Sequence, residues 1–197
     1  MLAVSQITLE RHFQPVFEPL DFQLDRGAVL LITGANGCGK TTLIRLLAGI
    51  LTPTSGSMQS TAKGAAYVGH SLALKDDLSV AENIRFVRNF NGMGQRSVDD
   101  VILRVGLQRV AHQPGRTLSA GQRKRCALAR LLLIPAELWL LDEPYSSLDD
   151  EGIELVDGLL VEHVQLGGSC VLASHGSHRP SIRNRTEIQL ISGASDQ

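Results

Sequence analysis

Gly34-Ala35-Asn36-Gly37-Cys38-Gly39-Lys40-Thr41 is the stretch whose residue types and spacing point most directly to chemistry. It fits G-x-x-x-x-G-K-[ST], a loop that cradles phosphate. Its glycines let consecutive backbone N–H groups turn toward phosphate oxygens. Lys40 can reach terminal phosphates, and the Thr41 hydroxyl, followed by Thr42, can ligate Mg²⁺. The four fixed positions recur by chance in roughly 1% of chains of this length. Cys38 sits inside the loop, where amides and Lys40 favour a thiolate. A second pair, Asp142-Glu143, follows four apolar residues, Leu138 to Leu141. Carboxylates at the C-terminal end of a buried strand lie where α/β sheets bind ligands. Asp142 could hold Mg²⁺ through water and Glu143 could act as general base. His175, after the apolar run Ser169–Ala173, is predicted at that same sheet edge, where it could touch a terminal phosphate. Ser119-Ala120-Gly121-Gln122 opens another helix, with Ser119 as N-cap and Gly121 keeping the helix terminus approachable.

These residues need a scaffold, and its elements are legible. Val29 to Thr33 reads as a strand buried on both faces, and a helix with Leu43, Ile44, Leu46 and Leu47 inward follows the loop. Met1–Leu9 and Leu20–Leu24 alternate like strands with one solvated face, and His12 or Phe13 between them could stack on a base. Thr52 to Gly56 reads as a turn, and Ala65–Val68 as a short strand ending at Gly69-His70. Ser79 with Glu82 forms a capping box, and Ser97–Val105 is a further helix with Asp99 and Asp100 in its first turn. The helix from Ser119 is expected to run through Arg130, with Arg123, Lys124 and Arg125 as a solvated face. Glu151–Leu166 is the last long helix and Ile188–Leu190 a final strand-like segment.

Composition narrows the class. The 197 residues carry 19 basic and 20 acidic side chains, so no global field argues for nucleic acid. Three cysteines without C-x-x-C spacing fit reduced thiols better than a disulfide frame. No N-terminal signal pattern is present, and the longest apolar run, Leu131–Leu141, is too short to span a bilayer. A soluble chain that docks on a membrane partner is the expectation.

In this order the motifs resemble the ATP-binding-cassette (ABC) ATPases over essentially the whole chain. Gly34–Thr42 is similar to the family's Walker A, Leu118–Gln122 to its signature, Leu138–Glu143 to its Walker B with catalytic glutamate, Ser147-Leu148-Asp149 to its D-loop, and His175 to its switch histidine. The resemblance implies an α/β fold of the P-loop NTPase, ABC-ATPase type, as one unit over residues 1–197. A mainly parallel core sheet, an antiparallel β subdomain and a helical insertion at about 76–135 would compose it. It also implies ATP and Mg²⁺, a head-to-tail dimer in which Ser119, Ala120, Gly121 and Gln122 complete the neighbour's site, and integral membrane partners. Two departures stand out: LSAGQ for the commoner LSGGQ, and His70 where a Q-loop glutamine is expected. Within the family, YVGH, LSAGQ followed by basic residues, LWLLDEP and the chain length look most like the ATP-binding subunits of bacterial cytochrome c maturation. Those imply CcmB-like and CcmC-like partners and a peripheral place on the cytoplasmic face of the inner membrane. An ABC ATPase for another small substrate, or a soluble ABC module acting on nucleic acid or ribosomes, are the alternatives.

Overall fold

Three strands without a polar side chain facing out set the centre of the molecule. The computed structural model describes residues 1–91, 96–175 and 178–193. β5 (Val29–Thr33), β8 (Leu138–Asp142) and β9 (Ser169–Ala173) are buried almost throughout. With β7 (Ala65–Val68) and β10 (Arg185–Gln189) they form a five-stranded parallel sheet in the order β10-β5-β9-β8-β7. A strand buried on both faces reads as a near-continuous apolar run, here with Ser169 and Asp142 as buried polar ends of β9 and β8, and the two faces serve two cores. Leu30 and Ile32 of β5 pack with Leu43 and Ile44 of α1 (Lys40–Leu47), while Val29 and Leu31 pack with Val156, Leu159 and Leu160 of α5 (Asp150–Gln165).

A three-stranded antiparallel sheet covers the α1 side: β4 (Leu20–Leu24), β1 (Leu2–Thr8) and β6 (Ser55–Ser60), in the order β4-β1-β6. β6 falls partly in the expected Thr52–Gly56 turn and was not legible as a strand. All six of its residues are exposed, so no apolar alternation marks it, and backbone pairing to β1 alone makes it extended. The hairpin of β2 (Glu10–Arg11) and β3 (Gln14–Pro15) was likewise hidden, and it carries His12 and Phe13 at its tip with φ of 52° and 63°. Phe13 is 99% exposed there.

The helices α2 (Val80–Phe90), α3 (Val98–Arg104) and α4 (Ala120–Leu128) build a third core from Val80, Ile84, Val101, Ile102, Leu107 and Cys126. The capping box of Ser79 and Glu82 closes α2 as the spacing predicts. α4 stops at Leu128 rather than running through Arg130. The chain tightens into a 3₁₀ turn over Ala129–Leu132, whose Arg130 carbonyl accepts from both Leu133 and Ile134 ahead of Pro135. Among the described residues no helix is long and apolar enough to cross a membrane.

Candidate nucleotide site

Parallel strands bring their C-terminal ends to one edge, so the loops that follow β5, β7, β8 and β9 converge. The loop after β5 passes through Gly34, Ala35, Asn36, Gly37 and Cys38 into Gly39, which precedes α1 at φ 103°. A Cβ at Gly39 would stand 2.8 Å from the Phe17 ring and 2.9 Å from Val16, so glycine is required there both by the φ and by the close approach. α1 is the one α-helix among the described residues whose N-terminus receives no side-chain cap; Ser79, Ser97, Ser119 and Asp149 cap the others. Its first-turn N–H groups are thus left for an anion. Lys40, only 7% exposed, donates to the Gly34 carbonyl at 2.8 Å and the Ala35 carbonyl at 2.9 Å. An ammonium has three protons, so a third remains for a phosphate oxygen. Cys38 is expected as a reactive thiolate, but its side chain is buried in the core on the α1 side, next to Gly34, rather than open to reagents.

From α1 the Thr41 hydroxyl donates to Asp142 Oδ1 at 3.1 Å, bridging two residues 101 positions apart. Asp142 is fully buried, and its Oδ2 has no hydrogen-bond partner. A buried carboxylate oxygen left orphaned beside a hydroxyl suits a hard cation. Among the described residues no three His, Cys, Asp or Glu converge as a complete metal cage. Mg²⁺ does not need one, because phosphates and water complete its octahedron.

Glu143 lies next, with φ 53°, a strained value for a residue with a side chain. Its N–H donates to Ala173 O at 2.9 Å, and its own carbonyl accepts from the Ser146 N–H at 3.2 Å and hydroxyl at 2.9 Å. Its Oε2 stands 2.8 Å from His175 Nδ1. The edge therefore brings Thr41 to Asp142 and Glu143 to His175.

Lys124 corrects the reading of Arg123–Arg125 as a solvated face. Lys124 is 3% exposed, and burial pulls its pKa down while the charges of Asp142 and Glu143 hold it up. Arg123 pairs with Asp76 at 2.7 Å and Arg125 with Asp149 at 2.6 Å. The acids that compensate these cations are remote in sequence, which is why the run read as solvated.

Ser119 and Gln122 close a capping box: Ser119 Oγ accepts from the Gln122 N–H at 3.2 Å, and Gln122 Oε1 accepts from the Ser119 N–H at 2.9 Å. Ser119, Ala120, Gly121 and Gln122 line a cavity of about 520 Å³ with Ser147 and Asp149, and no residue of the phosphate loop belongs to it. A Cβ on Gly121 would lie 3.0 Å from the Ser147 carbonyl, so a close backbone approach, besides openness, calls for glycine. Asp149 caps α5 through the Gly152 N–H at 2.9 Å while pairing with Arg125. His70 is exposed just past β7, whose Val68 is in register with Leu141 of β8. It makes no hydrogen bond or ion pair among the described residues.

Sequence reading missed Lys124, the Tyr145–Asp157–His178 cluster and a groove beside α2. That groove, about 290 Å³, is lined by Lys75, Phe86, Phe90, Arg130 and neighbours, with Phe90 82% exposed. The two off-register phenylalanines at i, i+4 were the available signal.

The family model described as "ABC transporter" matches residues 17–146. The cytochrome c biogenesis ATP-binding export protein CcmA of Xanthomonas axonopodis pv. citri is 44% identical over 94% of this chain and 92% of its own. The protein of the same name from Xylella fastidiosa is 42% identical over 95% and 89%. Among solved structures, a dimeric post-hydrolysis state of the ATP-binding cassette MJ0796 bound to ADP and Pi superimposes with a TM-score of 0.86, covering 98% of this chain and 95% of that one at 20% identity.

Proposed function

The chain belongs to the ABC transporter family, and from that premise we propose that it is the ATP-hydrolysing subunit of a membrane complex serving cytochrome c maturation. Its 44% identity over 94% of the chain to the Xanthomonas CcmA supports that assignment. In this reading one ATP-binding unit spans residues 1–197, with a helical insertion at about 76–135, on the cytoplasmic face of the bacterial inner membrane.

The observation that carries the chemistry is the meeting of Thr41 with Asp142 at 3.1 Å, beside an unpartnered buried oxygen. Thr41 and Asp142 would hold Mg²⁺, which neutralises phosphate charge when bound. Gly34, Ala35, Asn36, Gly37, Cys38, Gly39 and Thr42 supply the loop, and Lys40 holds the terminal phosphates with the free N–H groups of α1. Glu143 accepts the proton of the attacking water, and His175, held by Glu143 through Nδ1, meets the terminal phosphate. Ser119, Ala120, Gly121 and Gln122, with Asp149 beside them, complete the site of a second copy packed head to tail. Their cavity shares no residue with the phosphate loop of the same chain, which supports that arrangement.

The groove at Phe86 and Phe90 is the proposed seat for a short helix of an integral, CcmB-like or CcmC-like partner. An apolar groove rimmed by exposed aromatics suits such a helix. The loop after His70 leads from the nucleotide edge to this groove, and Arg130 fastens it by donating to the Leu72 and Ala73 carbonyls. In this reading His70 is the Q-loop position, between the two.

Glu143→Gln is the test. It is expected to bind Mg-ATP, to hydrolyse it about 10²–10⁴-fold more slowly, and to accumulate ATP-dependent dimers. Near-normal turnover in that variant removes Glu143 from its role.

A further inference from the structure

We propose that Tyr145, Asp157 and His178 form a brace that positions the Glu143–His175 pair, the three acting as positioning residues for hydrolysis. The inference rests on the function proposed above and adds residues that its motifs do not include.

The geometry begins with two loops. Glu143 lies just after β8 and His175 just after β9; the Glu143 N–H holds the end of β9 through the Ala173 carbonyl, and among the described residues two contacts join Glu143 to His175 itself. His175 Nδ1 stands 2.8 Å from Glu143 Oε2, and the His175 N–H reaches the same oxygen at 3.4 Å. His175 is itself exposed, so packing does little to hold it. Two residues beyond Glu143, however, the Tyr145 hydroxyl donates to Asp157 Oδ1 at 2.7 Å. Three residues beyond His175, His178 Nε2 lies 3.0 Å from Asp157 Oδ2 and 3.2 Å from Oδ1. Tyr145 and His178 are thereby tied to the same carboxylate, and their rings also touch edge to face, centroids 4.4 Å apart.

The chemistry of each group sets its role. An ionised Asp157 only accepts, so Tyr145 must donate and His178 must carry its proton on Nε2. Burial, with the bond to Asp157, raises the Tyr145 pKa and keeps that hydroxyl protonated. Asp157 sits midway along α5, with Val156, Leu159 and Leu160 buried at its back, so the anchor is rigid. His178 is fastened in turn: Arg179 donates to its carbonyl at 3.1 Å and pairs with Glu187 of β10 at 3.3 Å. The Glu143 backbone is strained at φ 53°, and such a conformation persists only when its surroundings over-determine it. A second tie beyond Pro144 provides that.

Among the described residues the brace makes no hydrogen bond to the phosphate loop or Lys40, so its loss should act on turnover and not on nucleotide binding. The variants Tyr145→Phe, Asp157→Asn and His178→Ala would be assayed in the full chain co-expressed with its membrane partners. In each, kcat is expected to fall roughly tenfold, up to ~10²-fold, with KM for ATP within about twofold. His178→Gln, which keeps a donor for Asp157, should recover most of the loss. In the Glu143→Gln background, Tyr145→Phe should cost nothing further, because the group it positions is gone. Unchanged kcat in Tyr145→Phe and His178→Ala, with only a lowered Tm, overturns the brace and leaves a packing role. Full turnover in Glu143→Gln overturns the functional reading instead, and the two failures are read from different variants.

Discussion

Asp142 is completely buried, yet one of its two carboxylate oxygens has no partner. Such a group is costly unless something that binds repays the desolvation. Lys124, itself buried and under the charge of Asp142 and Glu143, offsets part of that cost in the protein alone. A cation with ATP repays the rest in our reading, so nucleotide and metal should stabilise the chain together. At Mg-ATP near a hundredfold above Kd the linkage is worth about 2.7 kcal/mol, or roughly 5–11 °C in Tm for a chain of this size. We expect that shift in thermal denaturation of the native chain, most of it lost when EDTA removes the metal. In Asp142→Asn the metal-dependent part should be absent. A full Mg-ATP shift in that variant would take Asp142 out of the metal site.

At the scale of the element, two helices carry the same local device for different ends. α2 and α4 both begin with a serine N-cap and an N3 side chain that returns to the cap N–H. Removing either serine hydroxyl should cost about 1 kcal/mol, or roughly 2–4 °C in Tm. Ser79→Ala and Ser119→Ala are therefore expected to melt alike. Only Ser119→Ala should lose turnover in the assembled complex, because α4 begins at the surface proposed to close on the neighbour's ATP. Calorimetry beside ATPase rates checks this, and equal turnover in the two variants would reduce Ser119 to a helix cap.

Across the whole molecule, the parallel sheet carries the phosphate chemistry at one edge while the α2–α4 helices present Phe86 and Phe90 beside an apolar groove. The Lys75 ammonium lies 5.0 Å from the Phe86 ring centroid, a cation–π contact that leaves Phe90 the freer of the two. With Phe90 82% exposed, Phe90→Glu should change stability by less than about 0.5 kcal/mol and leave ATP binding intact. It should, however, cut recovery of the chain with its integral partners from detergent extracts more than tenfold, as loss of an aromatic hot spot of ~2 kcal/mol or more would. Undiminished co-purification would move the docking surface elsewhere.

The amino-acid sequence by itself determined the pieces whose signals are local. The glycine spacing from Gly34 to Gly39, the apolar runs of β5, β8 and β9, and the serine caps of α2 and α4 are each specified within a few neighbouring residues. Propensity, turn geometry and capping act over that range, so they can be read along the chain. β6 could not be, since its extension comes from pairing with β1 and its residues bury nothing. Nor could the state of Lys124 within a basic run, because the carboxylates that let it go under arrive with β8. Thr41 and Asp142 were each legible as metal-holding residues, but their direct hydrogen bond, and the meeting of Tyr145 and His178 at Asp157, came only with the tertiary structure. Hydrogen bonds and charge compensation act through space over a few ångströms, and chain folding alone decides which remote residues come within that reach.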